Sequence, residues 1–459
     1  MFEFENRNVL VYGTGKSGIG AAKLLLKVGA VPVLYDGNTE LDPEEICRKV
    51  GAQVRVVLGE FPIGEIGEMD LLIMSPGISC EMPLVDEFRK RNLPVWGELE
   101  LAYRTGRGHV MAVTGTNGKT TTVTLLGKIM QDHYREVYTV GNIGIPYTDV
   151  SLRQSDAAWT VAEVSSFQLE TIETFHPQAS AITNITEDHL NRHHTMEEYI
   201  RVKERITENQ MADDVCVLNY EDEVLRAFGE AQTAVRVIWF SSVRKLEKGL
   251  YLDNESIMLA DADGVRPVMR LDELQILGQH NHENVMTAVA MAYYGGGVPL
   301  EEIRRSAMEF AGVAHRIEFV DEIGGVRYYN DSKGTNPDAA IRAIRAMKWP
   351  TMLIGGGYDK GSSYSEWINS FDGKVQHLAL IGQTRGKIAE EAVSCGFPKE
   401  KIGFYENLKE ALAGCVQRAK SGDAVLLSPA CASWGQFDNY EQRGDMFKEY
   451  VKELAAEKR

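Results

Sequence analysis

The sequence predicts an α/β protein of three domains, on three observations. Short apolar strands alternate with amphipathic helical stretches along almost the whole chain, the pattern of parallel sheets linked by crossover helices. Two strand-to-helix junctions are glycine-rich, at Gly13–Gly18 and at Thr114–Thr121. At 459 residues the chain exceeds a single domain, since domains run to roughly 100–200 residues.

The first domain is placed at residues 1–96. It opens with a strand, Asn8–Tyr12, then a Gly-rich turn and a helix, then a second strand, Val31–Tyr35. The turn, Gly13-Thr14-Gly15-Lys16-Ser17-Gly18, fits G-x-G-x-x-G, and Asp36 closes the next strand, near the place of a ribose-binding acid in dinucleotide folds. Such a turn at a helix start offers open N–H groups to a diphosphate. NAD fits that description, and so does tight helix–sheet packing with no ligand at all. The domain is short for a complete dinucleotide fold before the next nucleotide motif begins. The diphosphate of a UDP-sugar is therefore ranked ahead of NAD, with Gly13, Gly15, Lys16, Ser17, Gly18 and Asp36 as candidate contacts.

The second domain is placed at residues 97–313, from the strand His109–Thr114 to helical segments around Asn284–Tyr294 and Leu300–Phe310. Between its first strand and helix lies Thr114-Gly115-Thr116-Asn117-Gly118-Lys119-Thr120-Thr121. Glycines let backbone N–H groups approach phosphate oxygens, Lys119 neutralises terminal phosphates, and the Thr120 hydroxyl suits Mg²⁺. The loop departs from G-x-x-x-x-G-K-T because Val113 stands in place of the first glycine. An ordinary strand–helix turn is the plainer alternative. The third domain, residues 314–459, carries expected strands at Val326–Tyr329, Met352–Ile354, Leu378–Ile381, Ile402–Tyr405 and Val425–Leu427. These elements amount to a Rossmann-like N-terminal domain, a central P-loop ATPase domain and a Rossmann-like C-terminal domain.

A net charge of −17 disfavours nucleic-acid and anionic-membrane partners, both of which need a basic surface. The six cysteines form no C-x-x-C pair and are expected to be reduced cytosolic thiols. Residues MFEFENRN at the start lack the pattern of a signal peptide, and no run reaches the roughly 18 apolar residues of a membrane helix. A cytoplasmic protein is expected.

Two further positions suit a metal. Glu163 ends an apolar strand in AEVSS, where a carboxylate matches a hard cation shared with Thr120 and nucleotide phosphates; a solvent-facing acid is the alternative. His189 follows Glu187-Asp188, with His193 and His194 nearby, but the spacing and absent cysteines fit structural zinc poorly. Lys203 falls on an expected helix, where a lysine is ordinarily solvated. Cys431 is no persuasive nucleophile, since no paired histidine is evident.

TGTNGKTT is the form this loop takes in Mur ligases and folylpolyglutamate synthases. The resemblance runs on in order through VGNIG (Val140–Gly144), AEVSSFQLE (Ala162–Glu170), ITNITEDHL (Ile182–Leu190), GQHNHEN (Gly278–Asn284), AHR (Ala314–Arg316), NDSKGTNPDA (Asn330–Ala339), IGGGYDKG (Ile354–Gly361) and LSPACASW (Leu427–Trp434). The chain resembles the Mur ligase family, and its N-terminal turn resembles the members that take UDP-muramoyl substrates. The D-Y-A-H-T-P and D-N-P-R strings of the lysine- or diaminopimelate-adding members are missing. Asn330–Pro337 and the tail Ser428–Phe447 look like the D-glutamate-adding members, although those often carry an acid where this chain has Gly435.

The resemblance implies an ATP- and Mg²⁺-dependent ligase that adds D-glutamate to UDP-N-acetylmuramoyl-L-alanine through an acyl phosphate. It implies that Glu163 and Thr120 serve one Mg²⁺, and that His189 and a carbamoylated Lys203 serve a second. Gly115, Thr116, Asn117, Gly118, Lys119, Thr120, Thr121, Asn142, Asn284, Arg316 and Asp331 would contact ATP. Lys333, Thr335, Lys360, Ser433 and Tyr440 would contact D-glutamate, with Lys333 also at the transition state. The residues alone leave two rivals: an NAD-dependent oxidoreductase, from the first turn and Asp36, and a non-catalytic nucleotide switch, from the P-loop.

Overall fold

The computed structural model describes residues 3–142 and 145–457. Three sheets organise them. The first contains β1 (Asn8–Tyr12), β2 (Val31–Asp36), β3 (Arg55–Leu58), β4 (Leu71–Met74) and β5 (Val95–Gly97), in the order β3-β2-β1-β4-β5, all parallel. Its strands read as unbroken apolar runs because both faces are covered. Val9, Val11, Leu34, Leu71 and Ile73 pack on one side, and Leu10, Tyr12, Val33, Leu72 and Met74 on the other. Each such side chain contributes about 1.5–3 kcal/mol on burial.

The second sheet contains β6 (His109–Thr114), β7 (Val137–Gly141), β8 (Trp159–Glu163), β9 (Ala179–Ile182), β10 (Val215–Asn219), β11 (Arg236–Ser241), β12 (Gly249–Asp253), β13 (Ser256–Asp261) and β14 (Gly264–Arg270). Their order is β14-β13-β12-β11-β10-β9-β6-β8-β7. From β7 to β12 the pairs are parallel, as the alternation of strands and helices predicts. Beyond it, β12 and β13 pair antiparallel, an extension absent from the sequence expectation. The third sheet contains β15 (Glu318–Ile323), β16 (Val326–Asn330), β17 (Thr351–Gly355), β18 (Val375–Leu380), β19 (Ile402–Phe404) and β20 (Ala424–Leu427), ordered β15-β16-β20-β17-β18-β19. Five of these match expected strands within a few residues. The sixth, β15, is an antiparallel edge strand on β16, half exposed and interrupted by a bulge between Phe319 and Asp321.

The described residues form two compact units. One runs up to Met269 and includes Glu283–Ser306; the other comprises Arg270–His282 and the chain from Ala307 onward. Several helix starts are capped by their own sequence. Asp42, Asp222 and Asn336 each accept a backbone N–H of the first turn, and Pro43 and Pro337 preset it. The two glycine-rich starts differ: helices Lys16–Lys27 and Lys119–His133 begin at Gly15 and Gly118 without a side-chain cap.

Candidate functional site

The P-loop joins the buried strand β6 to the helix Lys119–His133. Gly115 and Gly118 take φ of +136° and +86°, a region costly to any residue with a Cβ. Space is equally restrictive. A Cβ at Gly115 would lie 2.0 Å from Thr183 Oγ1, and one at Gly118 would lie 2.2 Å from Asn284 Oδ1. Asn284 is thus placed against the loop despite its distance in sequence, and it accepts a hydrogen bond from Thr122 Oγ1 at 3.3 Å. Asn117 is anchored at both ends: its N–H donates to Asn184 Oδ1 at 2.9 Å, and its carbonyl accepts from Thr183 Oγ1 at 2.6 Å. Thr116 Oγ1 donates to Thr186 O at 3.1 Å and lies 3.1 Å from Tyr199 OH. Thr121 follows in the first helical turn, partly buried. Lys119 folds back over the loop, donating to Gly115 O and Thr116 O at 2.8 and 2.9 Å.

Register sets the acidic side of this site. Val113 on β6 faces Glu163 on β8, so the carboxylate stands at the mouth of the loop. Thr120 Oγ1 donates to Glu163 Oε2 at 2.9 Å, and Asn142 Nδ2 donates to Glu163 Oε1 at 3.2 Å. A hydroxyl beside a buried carboxylate is a hard-oxygen donor set, which fits Mg²⁺. Among the described residues no trio of His, Cys, Asp or Glu side chains is placed to hold a metal alone. Two residues of the VGNIG string, Ile143 and Gly144, lie outside the described residues.

Lys203 is not on a solvated helix face. It is 2% exposed, and its Nζ donates to Gly115 O at 2.8 Å and lies 4.7 Å from the Tyr199 ring centroid. Burial, and then the Lys119 ammonium, push its pKa down to about 7, while Asp188 pulls the other way. His189 is exposed with φ of +53°. It pairs with Asp188 at 3.5 Å and packs against Phe167. Asp188 thus links His189 to the surroundings of Lys203, but no described hydrogen bond or ion pair joins His189 to Glu163 or Thr120. His193 is instead buried against Ser166 and Glu170.

At the first Gly-rich turn, a Cβ at Gly18 would fall 1.8 Å from Gly13 O, and one at Gly13 would fall 2.7 Å from Ser75 Oγ. At Gly15 a Cβ would meet nothing within 4 Å. Asp36 staples the turn: its Oδ2 accepts from Thr14 N at 3.0 Å and Thr14 Oγ1 at 2.8 Å. Lys16 and Ser17 open onto a cleft of about 150 Å³ that also reaches Asn142 and Gln168.

The other unit gathers the remaining predicted residues into three groups. Asp331 is buried and accepts from Ser428 Oγ at 2.7 Å and Ile317 N at 3.2 Å. Burial raises its pKa to about 7, against the pull of these donors and of the Arg316 and Arg443 charges. Lys333 lies 5.2 Å from the Tyr440 ring centroid, and Thr335 N donates to Lys333 O. Lys360 lies against a different ring, 4.7 Å from the Trp434 centroid, one residue beyond buried Ser433.

Sequence reasoning did not single out several residues that the fold places beside these groups. Arg443 is fully buried and donates to Ser332 Oγ, Ser332 O and Cys431 O, holding the ends of two loops. Its signal was an arginine inside the tail Ser428–Phe447. Glu98 and Gln168, hydrogen-bonded to each other at 2.9 Å, line the cleft beside Lys16. Gln168 lay within the AEVSSFQLE string, whereas Glu98 had no local signal beyond following β5.

Three family models match this chain: the Mur ligase MurD-like N-terminal domain at residues 7–97, the Mur ligase middle domain at 113–292, and the Mur ligase glutamate ligase domain at 315–431. A UDP-N-acetylmuramoylalanine–D-glutamate ligase of Lachnoclostridium phytofermentans is 50% identical over 456 residues, covering 99% of this chain and 100% of that one. The ligase of the same name from Clostridioides difficile is 40% identical, covering 98% and 100%. Among solved structures, the UDP-N-acetylmuramate-alanine ligase of Thermotoga maritima aligns with TM-score 0.55 at 19% identity, covering 98% and 99%. MurF from Acinetobacter baumannii aligns with TM-score 0.58 at 16% identity, covering 97% and 93%. These structures share its fold.

Proposed function

The chain belongs to the Mur ligase family, and from that premise we propose that it joins D-glutamate to UDP-N-acetylmuramoyl-L-alanine with cleavage of ATP to ADP and phosphate, a step of peptidoglycan precursor synthesis. Identities of 50% and 49% over nearly the full length to ligases of that name support the substrates. The observation that carries the chemistry is the P-loop with Thr120 and Glu163 hydrogen-bonded at its mouth. The three domains are assigned to residues 1–96, 97–313 and 314–459. No described helix is long and apolar enough to cross a membrane, and the reading places the enzyme in the cytoplasm.

In this mechanism the open N–H groups of the Gly13–Gly18 turn, with Lys16 and Ser17, take the UDP diphosphate. Those of Gly115–Thr121 take the ATP phosphates. Lys119 leaves its loop carbonyls for a phosphate oxygen, neutralising charge where the substrate carboxylate attacks the γ-phosphate. The product of that attack is an acyl phosphate and ADP. The D-glutamate amine then adds to the acyl carbon, phosphate departs, and an amide remains. Magnesium, when bound, neutralises phosphate charge; Thr120 and Glu163 would hold one ion, His189 and a carbamoylated Lys203 a second. Support for the carbamate is the depressed Lys203 pKa, since only the free amine adds CO₂. Asn142 orients Glu163, Asn284 serves the adenine side, Asp331 the ribose and Arg316 the phosphates. Lys333, Thr335, Lys360, Ser433 and Tyr440 are assigned to D-glutamate.

Phosphate release tests the reading. Turnover is expected only with UDP-N-acetylmuramoyl-L-alanine, D-glutamate, ATP and Mg²⁺ together. Turnover with L-lysine or diaminopimelate but not D-glutamate would overturn the substrate assignment. Titration calorimetry should show binding of the UDP substrate and negligible binding of NAD.

A further inference from the structure

Glu98 is the first residue of the helix Glu98–Thr105, directly after β5. Its side chain turns inward, leaving the residue 7% exposed. Oε1 accepts from Gln168 Nε2 at 2.9 Å. Oε2 is buried and makes no hydrogen bond. Burial raises the carboxyl pKa to about 7; the Gln168 amide and the backbone N–H groups of Glu98 and Leu99 draw it down without satisfying Oε2.

An acid in the first turn normally complements the helix dipole from the surface. That accounts for neither the burial nor the orphan oxygen. Glu100, in the same helical turn, shows what a structural acid looks like here. It accepts from Arg104 Nε, from Thr174 Oγ1 and from the backbone N–H groups of Glu173, Thr174 and Phe175. A carboxylate left half-satisfied in the interior is unfavourable unless a donor arrives.

The surroundings say where that donor comes from. Glu98 lines the cleft that holds Lys16 and Ser17, on the turn assigned to the diphosphate, and Asn142, which is hydrogen-bonded to Glu163. It also lines a smaller adjoining cavity with Ser75, Phe167 and Arg192. A substrate held by its diphosphate at the turn and by its carboxylate near Glu163 would lay its middle across Glu98. The donors of that middle are the acetamido N–H, the sugar hydroxyls and the alanyl amide N–H. We propose that Glu98 is a substrate-binding residue whose Oε2 accepts a hydrogen bond from the N-acetylmuramoyl-alanyl part of the UDP substrate. This rests on the function proposed above. Gln168 Nε2 fixes the carboxylate's orientation so that Oε2 faces the incoming donor.

Two ligands and two variants test it by titration calorimetry without ATP. Glu98→Gln must keep its carbonyl towards Gln168 Nε2, which turns an NH₂ towards the cleft. Glu98→Met replaces the acid with an apolar chain of similar length and folds without a buried carboxyl. Both variants should bind UDP-N-acetylmuramoyl-L-alanine at least about tenfold more weakly, yet bind UDP alone as the parent does. The KM for the UDP substrate should rise by the same factor, with kcat within about twofold and the KM for ATP unmoved. The Glu98→Met protein should unfold at or above the parent's temperature, separating the binding loss from misfolding. Equal weakening of UDP and the full substrate would make Glu98 a support of the turn and overturn the proposal. Unchanged affinity for the full substrate would overturn it as well. A parent protein that binds UDP but gains nothing from the muramoyl-alanyl group would overturn the functional reading, and this proposal with it.

Discussion

Gly118→Ala tests whether the P-loop is set by contacts seen in the fold. Two penalties add. Position 118 has φ of +86°, and an L-residue in the left-handed region costs roughly 1–2 kcal/mol. The new Cβ would also lie 2.2 Å from Asn284 Oδ1, so Asn284, only 5% exposed, must move. That movement disturbs the buried hydrogen bond from Thr122, at a cost of roughly 1–3 kcal/mol. The expected destabilisation is therefore about 2–5 kcal/mol. Loss of one N–H contact to phosphate, at roughly 1.5–3 kcal/mol, should also raise the KM for ATP by about ten- to hundredfold. Urea unfolding and steady-state kinetics measure both, with Gly64→Ala as the control. At Gly64 a Cβ meets nothing within 4 Å and φ is not positive, so the change should be near neutral. A Gly118→Ala enzyme with the parent's urea midpoint and KM for ATP would refute the argument.

Lys203→Ala should keep its fold and lose most activity, with partial rescue by formate or acetate; Lys203→Arg should not be rescued, because guanidinium stays cationic. Full activity in the alanine variant would eliminate the carbamate. Glu98 should make stability pH-dependent. Its folded pKa, about 7 against 4.5, is raised, so the unfolded chain gives up its proton first and stability falls as pH rises from 4.5 to 7. Glu98→Met lacks that loss, and its advantage over the parent should widen across this window towards a limit of about 3.5 kcal/mol, from about 2.5 pH units at about 1.4 kcal/mol each. A gap that stays flat between pH 5 and 8, measured by denaturant unfolding, would contradict it. Asp36→Ala removes the one oxygen that accepts from both Thr14 N and Thr14 Oγ1 and should raise the KM for the UDP substrate several-fold while leaving that for ATP unchanged; equal changes in both would point to a global defect.

The parallel strands were legible because two-sided burial demands runs such as NVLVY and AVLL. The antiparallel additions were not. EFVDEI in β15 is half exposed with acids interspersed, and GVRPVMR in β14 mixes exposed and buried positions around Pro267. Neither has the apolar continuity that marks a strand buried on both faces. Within the site, glycine spacing announced the two uncapped turns at helix starts. Their partners were hidden by chain separation: Gly115 O finds Lys203 Nζ 88 residues away, and Thr122 finds Asn284 162 residues away. Lys203 illustrates the limit most directly. Its helix looks solvated in sequence, and only the packed structure shows the ammonium enclosed beneath the loop.

In the first glycine-rich turn, the three glycines impose different tolerances on mutation. Gly13 and Gly18 are locked by collision, one against Ser75 and the other against Gly13 O. Any larger residue there breaks the turn whatever the ligand. Gly15 is different: its φ is −72°, open to every residue, and a Cβ would enter empty space. A saturation library at residue 15 should therefore yield folded proteins throughout, graded, on the function proposed above, in which diphosphate they admit. The G-x-G-x-x-G signature in this chain thus separates into two letters that describe a bend and one that is adjustable, making position 15 the economical place to re-engineer ligand choice.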